Sequence, residues 1–479
     1  LLYHKICYND NHGNIYILKS KEKRENIMKR KLTFQQYIAV ASMLFGLFFG
    51  AGNLIFPVSM GQMAGRRVWP AIFGFLITGV GLPLLGVAAL GMSRCNGLAK
   101  MSQRIGKKYG TFFTCALYLT IGPFFAIPRC ATVPFAVGIE PILGKGSSDA
   151  LPLAVFSLLF FLAVLWFSLR PGKILTWIGK VLNPIFLAAL GLLVITALLR
   201  PMGDIGSIAP QAGYASHAFS QGFLEGYNTM DALAGLAFGI IVVNVIKSLG
   251  VENSGDVAKC TVKAGLFSTI LMAVIYLLVT IIGTQSRGMY EASSNGGEAL
   301  LLIASHYYGR AGAFILAFTV TFACLKTSIG LITSCSETFC AMFPRTLNYK
   351  KWAVLFCALS LLIANLGLNS IIAYSLPVLM FLYPLAITLI FLSLAGKFFA
   401  DDKKVYISVT ACTIFAAALD FLNALPKGIK NLLHLKPLLA GVSRYLPLFE
   451  QGMGWVCPAL LGLAIGICLH ARKKQSLPS

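Results

Sequence analysis

Charge is scarce in this chain, and acid is scarcer still. Only 12% of its 479 residues are Asp, Glu, Lys or Arg, about half the share of a soluble domain. Seventeen acids stand against forty bases, and no two acids have the placement that paired acid–base catalysis needs. Asp420 is the one acid well inside a late apolar stretch, and it has no evident partner in the sequence. The twelve cysteines include no C-x-x-C pair; Cys335 and Cys340, the nearest neighbours, do not share a helix face. They read as small apolar packing residues. The six histidines (4, 12, 217, 306, 434 and 470) fall in tails, loops or at a span end, without metal-ligand spacing. An intramembrane enzyme, such as a lipid-modifying transferase, would need one of these missing constellations. The chain reads as no enzyme, with no resident cofactor and no metal beyond a passing Na⁺.

What is abundant is apolar sequence, at 57% hydrophobic residues and a mean hydropathy of +0.77. The length accommodates about twelve spans of ~20 residues joined by short connections. They are expected near 37–60, 69–91, 112–137, 151–169, 174–198, 229–248, 264–284, 311–335, 352–367, 371–395, 405–424 and 453–470. The fold class is therefore all-α and polytopic, with the lipid bilayer as a partner. The net charge of +23 does not point to nucleic acid, because its distribution follows topology. Lys29–Lys31 precede the first span, Arg94, Lys100, Arg104, Lys107 and Lys108 connect the second to the third, and Arg472–Lys474 follow the last. With an even number of spans all three clusters share one side, which the positive-inside rule makes cytoplasmic, with both termini. Segment 425–452 would then lie outside despite Lys427, Lys430, Lys436 and Arg444, and its Leu-rich pattern reads as an interfacial helix. Three divisions follow: a polar tail over 1–30, with Met28 a plausible true start; a membrane domain over 31–472; and a short tail over 473–479.

The first span is interrupted by Phe49-Gly50-Ala51-Gly52-Asn53 and then Pro57. Glycine weakens a helix and proline removes a donor. In hydrocarbon such a break survives only against protein or a wet cavity. Gly46 and Gly50 also form a GxxxG pair, the mark of close helix packing. No strand, third glycine or βαβ unit supports a dinucleotide site. Asn53 favours binding, since a polar amide at membrane depth needs a partner. A matching interruption is expected in the sixth span at Gly235-Leu-Ala-Phe-Gly239, ahead of Asn244. Broken helices five spans apart point to an inverted repeat, with spans eleven and twelve outside it.

The third span carries Tyr118, then Gly122, Pro123, Pro128, Arg129 and Pro134, which predicts a kinked helix. Arg129 either snorkels to the outer headgroups or is paired, with Asp231 at the start of the sixth span as the expected partner. Asp231 alone is also a favourable first-turn acid. The eighth span holds Lys326-Thr327-Ser328. These hydroxyls can bond their own helix or offer oxygens to Na⁺. Lys326 either supplies a fixed charge in place of a coupling cation or lies on another helix face.

Taken together, FFGAGNLIFP at 48–57, LTIGPFFAIPRCATVPF at 119–135, GYNTMDALAGLAFGIIVVN at 226–244 and ACLKTSIGL at 323–331 resemble the branched-chain amino acid:cation symporters. NLGL at 365–368 and LPVLMFLYP at 376–384 extend the likeness, which covers about residues 30–472. The resemblance implies a bacterial inner-membrane permease for leucine, isoleucine and valine, driven by Na⁺ or H⁺. It also implies, through the wider amino acid–polyamine–cation group, a leucine-transporter-type five-plus-five repeat with helices 1 and 6 broken. On that pattern the substrate meets Phe49, Gly50, Ala51, Gly52, Asn53, Phe238 and Gly239, with Tyr118 across the cavity. A cation lies between the carbonyls of Gly46 and Phe49 and the hydroxyls of Thr327 and Ser328. Arg129, Asp231 and Lys326 are gating or coupling residues. Two positions depart from the pattern: Lys326 stands where a small or apolar residue is usual, and Ala136 follows Phe135 where an acid is frequent, with Glu140 one turn later. A permease of the same fold for another apolar amino acid, such as methionine, or a channel, are the remaining alternatives.

Overall fold

The structure, a computed structural model, describes residues 32–93, 97–143, 150–170, 183–251 and 253–475. The tail over 1–30, with Met28 and the first basic cluster, lies outside the described residues, as does Arg94. Every regular element among the described residues is helical. The first span consists of α1 (Phe34–Phe48) and α2 (Ala51–Ala64). The second joins α3 (Val68–Leu76) to α4 (Leu82–Met92) through a π-helical turn. After the short α5 (Leu98–Ser102) come α6 (Lys107–Leu119) and α7 (Ala126–Gly138), the two parts of the third span. Between them Gly122 leaves helical geometry ahead of Pro123, the kink that the prolines predict. The fourth and fifth spans are α8 (Ala150–Ser168) and α9 (Asn183–Leu199).

The second repeat opens with α10 (Ala212–Thr229) and α11 (Asp231–Ser248), the two halves of the sixth span, followed by α12 (Ser254–Ser286). The long α13 (Gly296–Met342) turns sharply at Gly309, and its second part is the eighth span. The ninth and tenth are α14 (Tyr349–Ala364) and α15 (Leu368–Ala395). Outside the repeats, α16 (Lys403–Ala424) packs on α15 and on α19 (Val456–Gln475). Between those two, the expected interfacial segment forms α17 (Lys427–Leu432) and α18 (Lys436–Tyr445), which expose Leu432, Leu438 and Tyr445. The described residues form an all-helical polytopic fold, a five-plus-five inverted repeat with helices 1 and 6 broken and two further spans outside it.

The sixth span corrects the sequence reading twice. The expected span ends at 198 and 229 leave 199–228 as a connection, yet α10 fills most of it. It is rich in Ser, Gln, Asn and Glu, so no apolar run marks it. It docks instead through backbone contact with α3: a side chain at Gly74 would strike the Phe219 carbonyl, and one at Gly222 the Ala71 carbonyl. The second correction concerns Gly235 and Gly239, where no break occurs. A Cβ on Gly235 would sit 2.7 Å from the Pro83 carbonyl, and one on Gly239 2.8 Å from Leu90. These glycines let α11 press against α4, the packing use of small residues in membranes.

Polar contacts tie the face that carries the basic connections. Arg104 donates to Asp401 at 2.9 Å and to Tyr406 at 3.0 Å, and His470 meets Asp402 at 2.9 Å. The 92–111 connection, the start of α16 and the end of α19 therefore share one side, as the charge distribution predicts.

Candidate functional site at the two helix breaks

The first break is made by a hydrogen bond that goes elsewhere. In an unbroken helix the Gly50 N–H would bond the Gly46 carbonyl; here it donates to Asn53 Oδ1 at 2.8 Å. Phe49 is the last residue in register, its N–H on Phe45 at 2.8 Å, and its ψ of 100° turns the chain out of the helix. Asn53 thus caps α2 with its oxygen. Its Nδ2 crosses to the other repeat and donates to Asp231 Oδ2 at 2.7 Å and to the Tyr276 hydroxyl. Tyr276 in turn donates to the same Oδ2 at 2.6 Å.

The second break is a single left-handed residue, Met230, at φ 63° and ψ 12°. Such a conformation costs an L-residue roughly 1–2 kcal/mol, so its surroundings must hold it. Thr229 Oγ1 does part of this, donating to the Gly226 carbonyl at 2.8 Å and accepting from the Asp231 N–H at 3.3 Å. Asp231 then begins α11, where the helix dipole favours a carboxylate. Through Asn53 and Tyr276 the two breaks are one bonded unit, 178 residues apart in the chain.

Both breaks open on one small cavity, of about 40 Å³. Gly50, Ala51, Gly52, Asn53 and Phe238 line it as expected, with Arg129 and Asp231. Leu47, Ile121, Met230 and Leu331 supply much of its apolar wall. Phe49 is buried behind it, stacked on Phe45 at 4.9 Å, and contributes its carbonyl. Tyr118 stands one layer back, its hydroxyl on the Ala237 carbonyl at 3.3 Å. Gly239 is turned away against α4, as noted above. Lys326 is buried at 5% exposure but is not among the cavity-lining residues.

The expected Arg129–Asp231 ion pair is not formed. Arg129 donates to the Asn228 carbonyl at 2.8 Å and to Ser375 Oγ, with its guanidinium 5.2 Å above the Phe56 ring. It spans α7, α10 and α15, while Asp231 is held by Asn53 and Tyr276. Two residues of this network, Tyr276 and Ser375, carry no signal in the sequence. Each is one of several hydroxyl residues on its helix, and nothing in the pattern singles it out.

Beside the cavity the break leaves a cluster of oxygens. The Gly46 carbonyl has lost its helical donor to Asn53. Thr327 Oγ1 lies 3.2 Å from the Phe49 carbonyl and 3.1 Å from that of Ala323. Ser328 Oγ is fully buried with no hydrogen-bond partner among the described residues. Hydroxyl and carbonyl oxygens suit a hard monovalent cation, and a buried orphan hydroxyl is what such an ion would satisfy.

Residues 33–473 match the family model described as branched-chain amino acid transport protein. The branched-chain amino acid permease BrnQ of Lactobacillus delbrueckii subsp. lactis is 52% identical over 438 residues, covering 91% of this chain and 97% of its own. BrnQ of Escherichia coli K12 is 38% identical, over 92% of this chain and 97% of its own. The branched-chain amino acid transport system 2 carrier protein of Pseudomonas aeruginosa is 39% identical, over 90% and 95%. Among solved structures, the nucleobase-cation-symport transporter Mhp1 with bromovinylhydantoin bound aligns with a TM-score of 0.58 at 15% identity, over 91% of this chain and 93% of its own. MhsT in complex with L-phenylalanine aligns at 0.54 and 14% identity, over 91% and 100%. At such identities the structures speak to the fold alone.

Proposed function

The chain belongs to the branched-chain amino acid transport protein family, and from that premise we propose a secondary active symporter that imports leucine, isoleucine and valine. Na⁺ or H⁺ drives it by alternating access around the cavity between the two breaks. The observation that carries this reading is the meeting of both broken helices on one cavity, with an oxygen cluster at its edge. No covalent chemistry is required, and the family is one of transporters, not enzymes.

In this reading the first turn of α2 presents the N–H groups of Ala51, Gly52 and Asn53 to a carboxylate, a helix terminus being a ready anion site. Phe238 and Leu331 receive the branched side chain. The coupling cation sits among the Gly46 and Phe49 carbonyls and the Thr327 and Ser328 hydroxyls. Because Phe49 is followed directly by Gly50 in the cavity wall, filling the cation cluster stiffens the backbone that the substrate touches. One co-transported charge gains about 2.3 kcal/mol per 100 mV, enough for roughly fifty-fold accumulation. The membrane is the bacterial inner membrane, with both termini in the cytoplasm.

Uptake of labelled leucine, isoleucine and valine into proteoliposomes tests this, first under a Na⁺ gradient and then under a proton gradient alone. Accumulation with Na⁺ only supports the Thr327–Ser328 cluster as its seat. Accumulation with protons alone moves the coupling role toward Lys326. Equilibration without accumulation would mean a channel. Accumulation of methionine but of none of the three would keep the fold and replace the substrate, a choice that rests on one or two methyl contacts worth ~1–3 kcal/mol.

A further inference from the structure

The charges that line the central cavity are one acid and one base, and they do not pair with each other. Asp231 and Arg129 are each 2% exposed, and both line the cavity wall. Asp231 is bonded through Oδ2 to two neutral donors, Asn53 and Tyr276. Arg129 is bonded to two neutral acceptors, the Asn228 carbonyl and Ser375 Oγ, and its Nε is buried with no partner among the described residues. The nearby acid that acts electrostatically on Arg129 is Glu225, which makes no ion pair with it and whose Oε2 accepts from Asn228 Nδ2 at 3.2 Å. A buried charge held only by neutral groups is costly, and removing water from two of them costs more unless both find counter-charges. Asp231 and Arg129 do not use each other for this, although they share one cavity.

We infer that the pair is a clamp for a zwitterion, with Asp231 taking the ammonium of an α-amino acid and Arg129 taking its carboxylate. An α-amino acid carries both charges on one carbon, so a single ligand neutralises both walls and adds no net charge. The orientation of Asn53 favours an ammonium over a bare alkali ion at Asp231. Its oxygen is used by the Gly50 N–H and its amide donor points at the carboxylate, so this corner is short of the oxygens a desolvated alkali ion needs. Thr327 lines the same cavity, but its Oγ1 bonds the Phe49 and Ala323 carbonyls and not Asp231. The clamp assigns the charged ends of the ligand to side chains, with the α2 N–H groups assisting. It explains why the apolar cavity needs a buried guanidinium at all. This inference rests on the transport reading above and adds the recognition chemistry of its substrate.

The test is equilibrium binding of labelled leucine to the purified full chain, competed by isocaproate (leucine without its amino group) and isoamylamine (leucine without its carboxylate). Wild-type protein is expected to prefer leucine over either by at least roughly a hundredfold, the scale of a lost partner in a buried charge pair. Asp231→Asn should lose leucine affinity by a similar factor while its affinity for isocaproate stays put, so that the preference collapses. Arg129→Gln should lose the preference over isoamylamine in the same way, and Asp231→Glu should restore part of what Asp231→Asn loses. An Asp231→Asn protein that keeps its preference over isocaproate overturns the clamp. So does one that keeps it while losing dependence on Na⁺, which would make Asp231 an ion seat. Should a variant elute as aggregate, the wild type decides alone: binding either analogue as tightly as leucine overturns the inference. If wild-type protein binds a different α-amino acid, the branched-chain reading fails and the clamp is tested on that ligand's two analogues. Binding of no α-amino acid ends both.

Discussion

The two helix breaks do the same job with different chemistry. The first is written in glycine: Gly50 and Gly52 keep side chains out of the gap, and Pro57 removes the donor that would have reached the Asn53 carbonyl. A Cβ on Gly50 would lie 3.0 Å from Thr327, and one on Gly52 3.4 Å from the Thr229 backbone. The second break has no glycine. Its left-handed residue is Met230, held by the Thr229 hydroxyl and followed at once by an acid that is bonded to the first break. One break is thus permitted by absent side chains, and the other is enforced by polar side chains. A break that only lacks material is local and shows in the sequence. A break that depends on partners in another repeat does not.

Asn53 is the residue where the two strategies meet, so its loss should have the largest effect. Asn53→Ala removes the cap on Gly50 and leaves Asp231 and Tyr276 short of a donor. Leaving buried polar groups unpaired costs ~1–3 kcal/mol each, so thermal unfolding of the purified protein should fall markedly and uptake should drop by more than tenfold. Wild-type uptake by this variant would separate the two breaks. Next comes Gly235→Ala, which places a methyl against the Pro83 carbonyl. Overpacking of this kind costs ~1–3 kcal/mol, and the prediction is a lower melting temperature with unchanged ranking of leucine, isoleucine and valine. Altered ranking would place Gly235 in the binding site. Smallest is Thr327→Val, an isosteric change that removes one oxygen from the cation cluster. It should raise the half-saturating Na⁺ concentration by roughly tenfold, about 1.4 kcal/mol, and leave protein yield unchanged. An unaltered Na⁺ response would remove Thr327 from the site.

The legible parts of the fold were those with a one-dimensional signature. Among the described residues each expected apolar run falls on a helix, because hydrocarbon thickness fixes its length. What the runs do not mark is α10, which presents Gly222 to Ala71 of α3 and Gly226 to Thr78 of the π-helical turn, contacts that no hydropathy pattern records. At the site, the 49–53 break and the Thr327–Ser328 hydroxyls were readable as local departures from an apolar helix. Phe238 lines the cavity, but Gly235 and Gly239 were credited with a break that belongs to Thr229–Met230. Arg129, Asp231 and Asn53 were singled out as polar groups at membrane depth, while their other partners were not. Asn228, Ser375 and Tyr276 lie on three other helices, and only folding brings them together.

The central claim is that one ligand site lies where the two breaks meet, and Gly52 is the point of contact. Equilibrium dialysis of labelled leucine against purified wild type and Gly52→Leu tests it most directly. A leucine side chain there must enter the space between Phe56 and the Thr229 backbone, so the account predicts saturable binding by wild type and none by a monodisperse Gly52→Leu protein. Wild-type affinity in Gly52→Leu would contradict it and move the site away from the breaks.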